Sequence, residues 1–141
     1  MEAIIAFDIG DKRIGVAFCD PILQIPLPVE TYFRKGLHAD VEYLVNLAKT
    51  RAADRIVCGM PLNFDGSESV QTEKTRFFVN ALTEATDIPI SLVDERFTTM
   101  EAHRVLIEGD MRREKRKGVV DKVAASYILE NYLESIKGVK R

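Results

Sequence analysis

The chain has 141 residues, a length that one hydrophobic core serves without disulfide or metal staples, and a single domain over 1–141 is expected. Its 20 Lys and Arg against 22 Asp and Glu leave a formal charge of −2, which excludes a global basic field as the means of holding a polyanion. No apolar run approaches the ~20 residues of a membrane span and no secretory pattern opens the chain, so a cytoplasmic location without a membrane partner is expected.

Ala3, Ile4, Ile5, Ala6 and Phe7, closing on Asp8, read as a strand buried on both faces. Residues 10–12 are a tight turn and 13–19 a second strand paired antiparallel to the first. Asp20 and Pro21 break it. A third strand follows over 26–33, with Pro26 and Pro28 near its start, where an edge strand tolerates missing donors. Val41, Leu44, Val45 and Ala48 recur at helical spacing within 40–51 and lead into a short buried strand at 55–58. Residues 59–67 form a Gly-, Pro- and Asn-rich loop; Val70, Phe77, Phe78, Ala81 and Leu82 mark the next helix, and 89–93 the last strand. Thr98 and Glu101 have capping-box spacing and open a helix that Gly109 stops, and a final helix is expected over 119–136. A three-stranded antiparallel meander, two strands each preceded by a helix, and two closing helices imply an α/β fold: a mixed sheet flanked by helices on both faces. Cys19 and Cys58 lie in apolar runs without metal-site spacing and read as small buried hydrophobes.

Chemistry is expected at the acids. Asp8 ends a buried strand, where a carboxylate loses most of its hydration unless something compensates. Alone it reads as a turn-forming acid beside Gly10. Asp94 and Glu95 end the last strand in the same way, and consecutive strand side chains face opposite sides, so either is a candidate. Asp121 shares a helical stripe with Ala124, Ala125 and Ile128; alone it would merely complement the helix dipole. Together the acids point to a cation, since two carboxylates ~4 Å apart repel by ~4 kcal/mol at an effective dielectric near 20. Oxygen-only donors suit Mg²⁺ or Mn²⁺, and His38 and His103 have no partner at metal spacing. Such ions between carboxylates serve phosphoryl chemistry, so a phosphodiester is the expected substrate. Arg13 and Arg96 flank the acids and suit either phosphate binding or carboxylate neutralisation. Arg112, Arg113, Lys115, Arg116 and Lys117, interrupted by Glu114, make the densest basic cluster, directly before the last helix, and are expected to contact a nucleic-acid backbone. Gly10 and Gly15 have the spacing of a phosphate-cradling loop, but Val16 and Ala17 stand where Lys and Ser or Thr are required.

Four motifs in order, Asp8-x-Gly10-x-x-Arg13-Ile14-Gly15-Val16-Ala17, Gly59-Met60-Pro61 with Gly66, Asp94-Glu95-Arg96-Phe97-Thr98-Thr99, and Lys117-x-x-x-Asp121-x-x-Ala124-Ala125, resemble the YqgF family of Holliday-junction-resolvase-like nucleases over nearly the whole chain. The resemblance implies a ribonuclease H-like fold with a five-stranded sheet, and assigns Asp8, Glu95 and Asp121 as metal-binding catalytic acids. It also implies maturation of the 5′ end of 16S ribosomal RNA, with precursor RNA or pre-ribosomal particles as partners. A resolvase acting on branched DNA and a non-catalytic RNA-binding assembly module are the alternatives. The sequence does not specify an oligomeric state.

Overall fold

The computed structural model describes residues 2–95 and 113–139, and side chains within 2–95 and 120–136. Its five strands are β1 (Ile4–Ile9), β2 (Arg13–Cys19), β3 (Pro26–Phe33), β4 (Arg55–Met60) and β5 (Ile90–Asp94). They form one mixed sheet in the order β3-β2-β1-β4-β5. The β1–β2 and β2–β3 pairs are antiparallel, the β1–β4 and β4–β5 pairs parallel. The expected meander and parallel extension are therefore present. The prolines fall where the edge-strand reading put them: β3 is an edge, and Pro28 pairs with Ala17 beside a register shift between Val16 and Ala17.

Three described helices cover the sheet: α1 (Leu37–Thr50), α2 (Val70–Ala85) and α3 (Arg113–Val139). On one face Ile5, Phe7 and Ile9 of β1 join Leu44 and Val45 of α1 and Phe78 and Leu82 of α2. On the other, Ile4 and Ala6 meet Ala125, Ile128 and Leu129 of α3. The alternation of β1 thus splits one apolar run between two cores. No helix among the described residues is long and apolar enough to cross a membrane.

Two boundaries correct the sequence reading. The strand expected to stop at 58 continues through Gly59 and Met60, which pair with Val93 and Asp94; the Gly and Pro that signal a loop lie at the end of the ladder, where sheet pairing outweighs local propensity. The last helix begins at Arg113, so the basic run from 113 to 117 forms its first turns rather than a preceding segment. Arg, Glu and Lys are strong helix formers, and the single Gly118 costs only ~1 kcal/mol in a helix interior. The helix expected from 98 to 109 lies outside the described residues.

The polar anchor of the α1 face is Asp40, fully buried in the first turn of α1. Its carboxylate accepts hydrogen bonds from Tyr32 Oη (2.9 Å), Arg34 Nε (2.9 Å) and the backbone N–H groups of Lys35 (2.8 Å) and Gly36 (3.3 Å). Burial alone would raise its pKa, but the donors from Lys35, Arg34, Tyr32 and Gly36 outweigh burial and hold it below the ordinary carboxylate value. A depressed folded pKa means that this stabilisation is present above the unfolded value and is lost as pH falls through the folded one. Asp40→Asn is expected to cost about 2–3 kcal/mol in urea unfolding at pH 7, because it leaves the Arg34 charge without its partner; a loss below 0.5 kcal/mol, on the order of a surface substitution, would contradict this role.

Candidate active site

The acids meet at the carboxyl ends of the parallel strands, on the α3 face. Asp8 follows Ile4 and Ala6 at the period of two that turns those residues toward α3. The same alternation separates Asp94 from Glu95. Val93 packs against the α3-side core, so Glu95, two residues on, lies on that face and is 8% exposed, whereas Asp94 is exposed. The Glu95 backbone N–H donates to the Met60 carbonyl (3.2 Å), which holds the end of β5 against β4.

Two glycines make room for this arrangement. Gly15 is the register partner of Asp8, and a Cβ built there would lie 1.9 Å from the carbonyl oxygen of Asp121 and 2.9 Å from the Lys122 nitrogen. The backbone of α3 thus rests on β2 beside Asp8, which brings Asp121 over the sheet end. At Gly59 a Cβ would lie 2.5 Å from Glu95 Oε2 and 2.5 Å from Ile128 Cδ1. The Glu95 carboxyl occupies space that any other residue at position 59 would claim. Because its neighbours there are side-chain ends that can move, Gly59→Ala is expected to fold with a loss of about 1–2 kcal/mol while expelling the Glu95 carboxyl. Unfolding by urea gives the first effect, and loss of the Glu95 proton shift by NMR titration the second.

The electrostatics follow from crowding. Burial, with the charge of Asp121 adding to it, raises the Asp8 pKa from 3.8 to about 6, although a hydrogen bond from Glu95 pulls the other way. Glu95 is pushed up from 4.5 to about 10 by burial, then by the charge of Asp8 and the hydrogen bond to it, and by Asp94. At neutral pH the pair therefore holds one proton, with the Glu95 carboxyl donating to the Asp8 carboxylate. Glu95 Oε2 is buried without a hydrogen-bond partner among the described residues. The neighbouring Cys58 thiol is raised by burial and by Glu95, and Cys19 and Cys58 are both free and buried, as the apolar runs suggested.

Asp121 is held differently. Arg13 Nε donates to Asp121 Oδ2 at 2.6 Å, joining the start of β2 to the third turn of α3. Among the described residues no group of three or more His, Cys, Asp or Glu side chains stands ready to hold a metal ion. Asp8 and Glu95 are assembled as a pair, and Asp121, close enough for its charge to act on Asp8, is engaged by Arg13. The donor set nevertheless suits a hard divalent cation: oxygen ligands only, one orphaned buried oxygen, and a shared proton standing where positive charge is needed. Arg96 and Arg112 lie outside the described residues, as does His103; Arg113, Lys115, Arg116 and Lys117 are described in their helical backbone alone. The steric roles of Gly15 and Gly59 have no signal in composition or periodicity; their place within the motifs was the available clue.

The family model RuvX, Holliday junction resolvase, matches residues 2–135 of the chain. A protein of Halothermothrix orenii named "Putative pre-16S rRNA nuclease" is 46% identical over 130 residues, covering 92% of this chain and 93% of its own. One of the same name from Clostridium acetobutylicum is 42% identical over 133 residues, covering 94% and 98%. Among solved structures, T. thermophilus RuvC in complex with Holliday junction substrate aligns over 96% of both chains with a TM-score of 0.63 at 9% identity, a likeness of fold. That fold is ribonuclease H-like.

Proposed function

Because this chain belongs to the RuvX family of Holliday junction resolvases, we propose that it is a nuclease that hydrolyses phosphodiester bonds of structured nucleic acid, with Asp8, Glu95 and Asp121 as its metal-binding catalytic acids and the 5′ end of precursor 16S ribosomal RNA as its substrate. The observation that carries the reading is the Asp8–Glu95 pair: two carboxyls forced together on the sheet end, sharing one proton, with Glu95 Oε2 unpartnered. Folding buries two carboxyls together and raises the pKa of both, and groups perturbed in this way are enriched at functional sites. The RNA assignment rests on the names of the relatives that match nearly the whole chain.

Mg²⁺ or Mn²⁺, when bound by Asp8, Glu95 and Asp121, would supply the positive charge that activates water and stabilises the leaving oxygen. The chain's own residues prepare for this. Glu95 would give up its proton to solvent on binding a cation, and its burial against Gly59 keeps the carboxyl from swinging into solvent. Arg13, 28% exposed at the start of β2 and paired with Asp121, is suited to take a phosphate oxygen. Lys117 lies one helical turn before Asp121, so the basic run of Arg113, Lys115, Arg116 and Lys117 in the first turns of α3 leads along the substrate backbone toward the site.

The test is cleavage of a 5′-extended 16S precursor fragment and of a four-way DNA junction, each with Mg²⁺, Mn²⁺ or EDTA, by the parent and by Glu95→Gln. Cleavage of the RNA with either ion, none in EDTA, and loss in the variant are expected. Retained cleavage by Glu95→Gln would overturn the acid site; cleavage of the junction in preference to the RNA would overturn the substrate.

A further inference from the structure

The Arg13–Asp121 pair joins two side chains whose backbones are fixed. Arg13 closes the β1–β2 turn, where its carbonyl accepts the Gly10 N–H at 2.9 Å, and it pairs in register with Phe33 of β3. The Asp121 backbone packs directly on β2, its carbonyl against Gly15. A change of partner therefore requires only side-chain rotation, at a place where both groups reach water: their side chains are 28% and 20% exposed.

The other guanidinium of this hairpin is built differently. Arg34 is bonded to Asp40 and to the Gly10 carbonyl and lies over the Phe78 ring, an arrangement of several contacts that locks it. Among the described residues Arg13 donates to one oxygen of one carboxylate. That carboxylate is the acid missing from the Asp8–Glu95 pair, and among the described residues no three acids stand together as they are.

We propose that Arg13 is an internal stand-in for the metal ion. It occupies Asp121 in the nucleic-acid-free protein, competes with the divalent cation for that carboxylate, and yields it when a phosphodiester draws the guanidinium away. Metal and nucleic acid then bind cooperatively, since each relieves the pair that opposes the other. The proposal rests on the assignment of Asp8, Glu95 and Asp121 to a metal site, and the test separates the two.

Mn²⁺ is titrated by calorimetry into the parent, Arg13→Gln, Arg13→Lys and Asp8→Asn, with melting temperatures taken to confirm folding. Arg13→Gln is expected to bind Mn²⁺ roughly 3- to 10-fold more tightly than the parent, the range set by a partly exposed charged pair. Arg13→Lys, which keeps the charge, restores the weaker binding. Asp8→Asn abolishes it. If Asp8→Asn fails and Arg13→Gln binds no tighter than the parent, Arg13 is not a competitor although the metal site stands; if Asp8→Asn binds as the parent does, the metal site itself is misplaced and the proposal falls with it. Absence of binding in both the parent and Arg13→Gln also overturns it. The hand-over is tested in EDTA by fluorescence anisotropy with a stem-loop RNA. Asp121→Asn is expected to tighten RNA binding, and to do so markedly less in an Arg13→Gln background; an equal gain in both backgrounds would show that the freed guanidinium plays no part.

Discussion

Asp8→Asn is expected to lower metal-dependent cleavage of structured RNA by at least about 1000-fold, the equivalent of several kcal/mol of metal-borne transition-state stabilisation, while making the metal-free protein more stable. The two effects have one cause. Asp8 lies against Glu95 and near Asp121, so its charge is what a cation would need and what the protein without a cation must tolerate. Asparagine keeps the shape and an acceptor oxygen for the Glu95 carboxyl but removes the charge of Asp8. The sign of the pH dependence follows from raised pKa values. The relative stability is fully present below the unfolded values and is lost as pH rises, between 3.8 and about 6 for Asp8 and between 4.5 and about 10 for Glu95. In EDTA the parent is therefore expected to lose melting temperature from pH 5 to pH 9 on account of these groups. The variant should melt roughly 3–5 °C higher at pH 8, about 1 kcal/mol, because the Asp8 part of that loss is gone. Differential scanning calorimetry at the two pH values checks the sign. A variant that is both inactive and less stable at pH 8 would mean that Asp8 is a structural acid.

Gly15→Ala is expected to be the most damaging single substitution in the described structure, at about 4 kcal/mol or more, enough to leave much of the protein unfolded at 37 °C. A Cβ at this position would stand 1.9 Å from a carbonyl oxygen and 2.3 Å from its carbon, both backbone atoms of Asp121. No rotamer relieves that contact; α3 must lift from the sheet. Lifting it exposes Ala124, Ala125, Ile128 and Leu129, each fully buried at present, and the apolar cost scales with that area. The difference from Gly59, whose obstructing atoms are the ends of Glu95 and Ile128, is that those side chains can turn aside. Urea denaturation of both variants should rank them in this order. A Gly15→Ala loss of less than about 1 kcal/mol would show that α3 has freedom to shift, and would weaken the placement of Asp121 beside Asp8.

The parts of the fold that were legible beforehand share a physical character. Strands over 13–19 and 26–33 were bounded correctly because alternation, the Gly10 turn and the edge prolines are all local signals. The sheet-facing stripe of the last helix, Ala124, Ala125 and Ile128, followed from a period of 3.6 residues and is fully buried. Where a boundary was missed, a local signal was outweighed from a distance: Gly59 and Met60 read as loop residues but are held in the ladder by Val93 and Asp94. In the sequence Asp40 has no mark beyond its place at the start of the helical spacing. Its burial depends on Tyr32 and Arg34 being folded back from β3 and the turn after it, which no spacing rule reports.

For the site, residue chemistry named the acids, and the order of strands implied that Asp8 and the acids after β5 lie at the same end of a sheet. The choice of Glu95 over Asp94 as a metal ligand rests on the resemblance; the structure adds that Val93 packs on the α3-side core, which puts Glu95, the next alternate residue, on that face. The partnership of Arg13 with Asp121 spans 108 positions, and the room for Asp121 and Glu95 is left by glycines on strands far from them in the chain. Periodicity, turn chemistry and charge are written in neighbouring residues and can be read along the chain; which carboxyl shares a proton, which is held by a guanidinium and which glycine a helix rests on depend on distances of a few ångströms between distant segments, and those exist once the sheet has closed and α3 has docked.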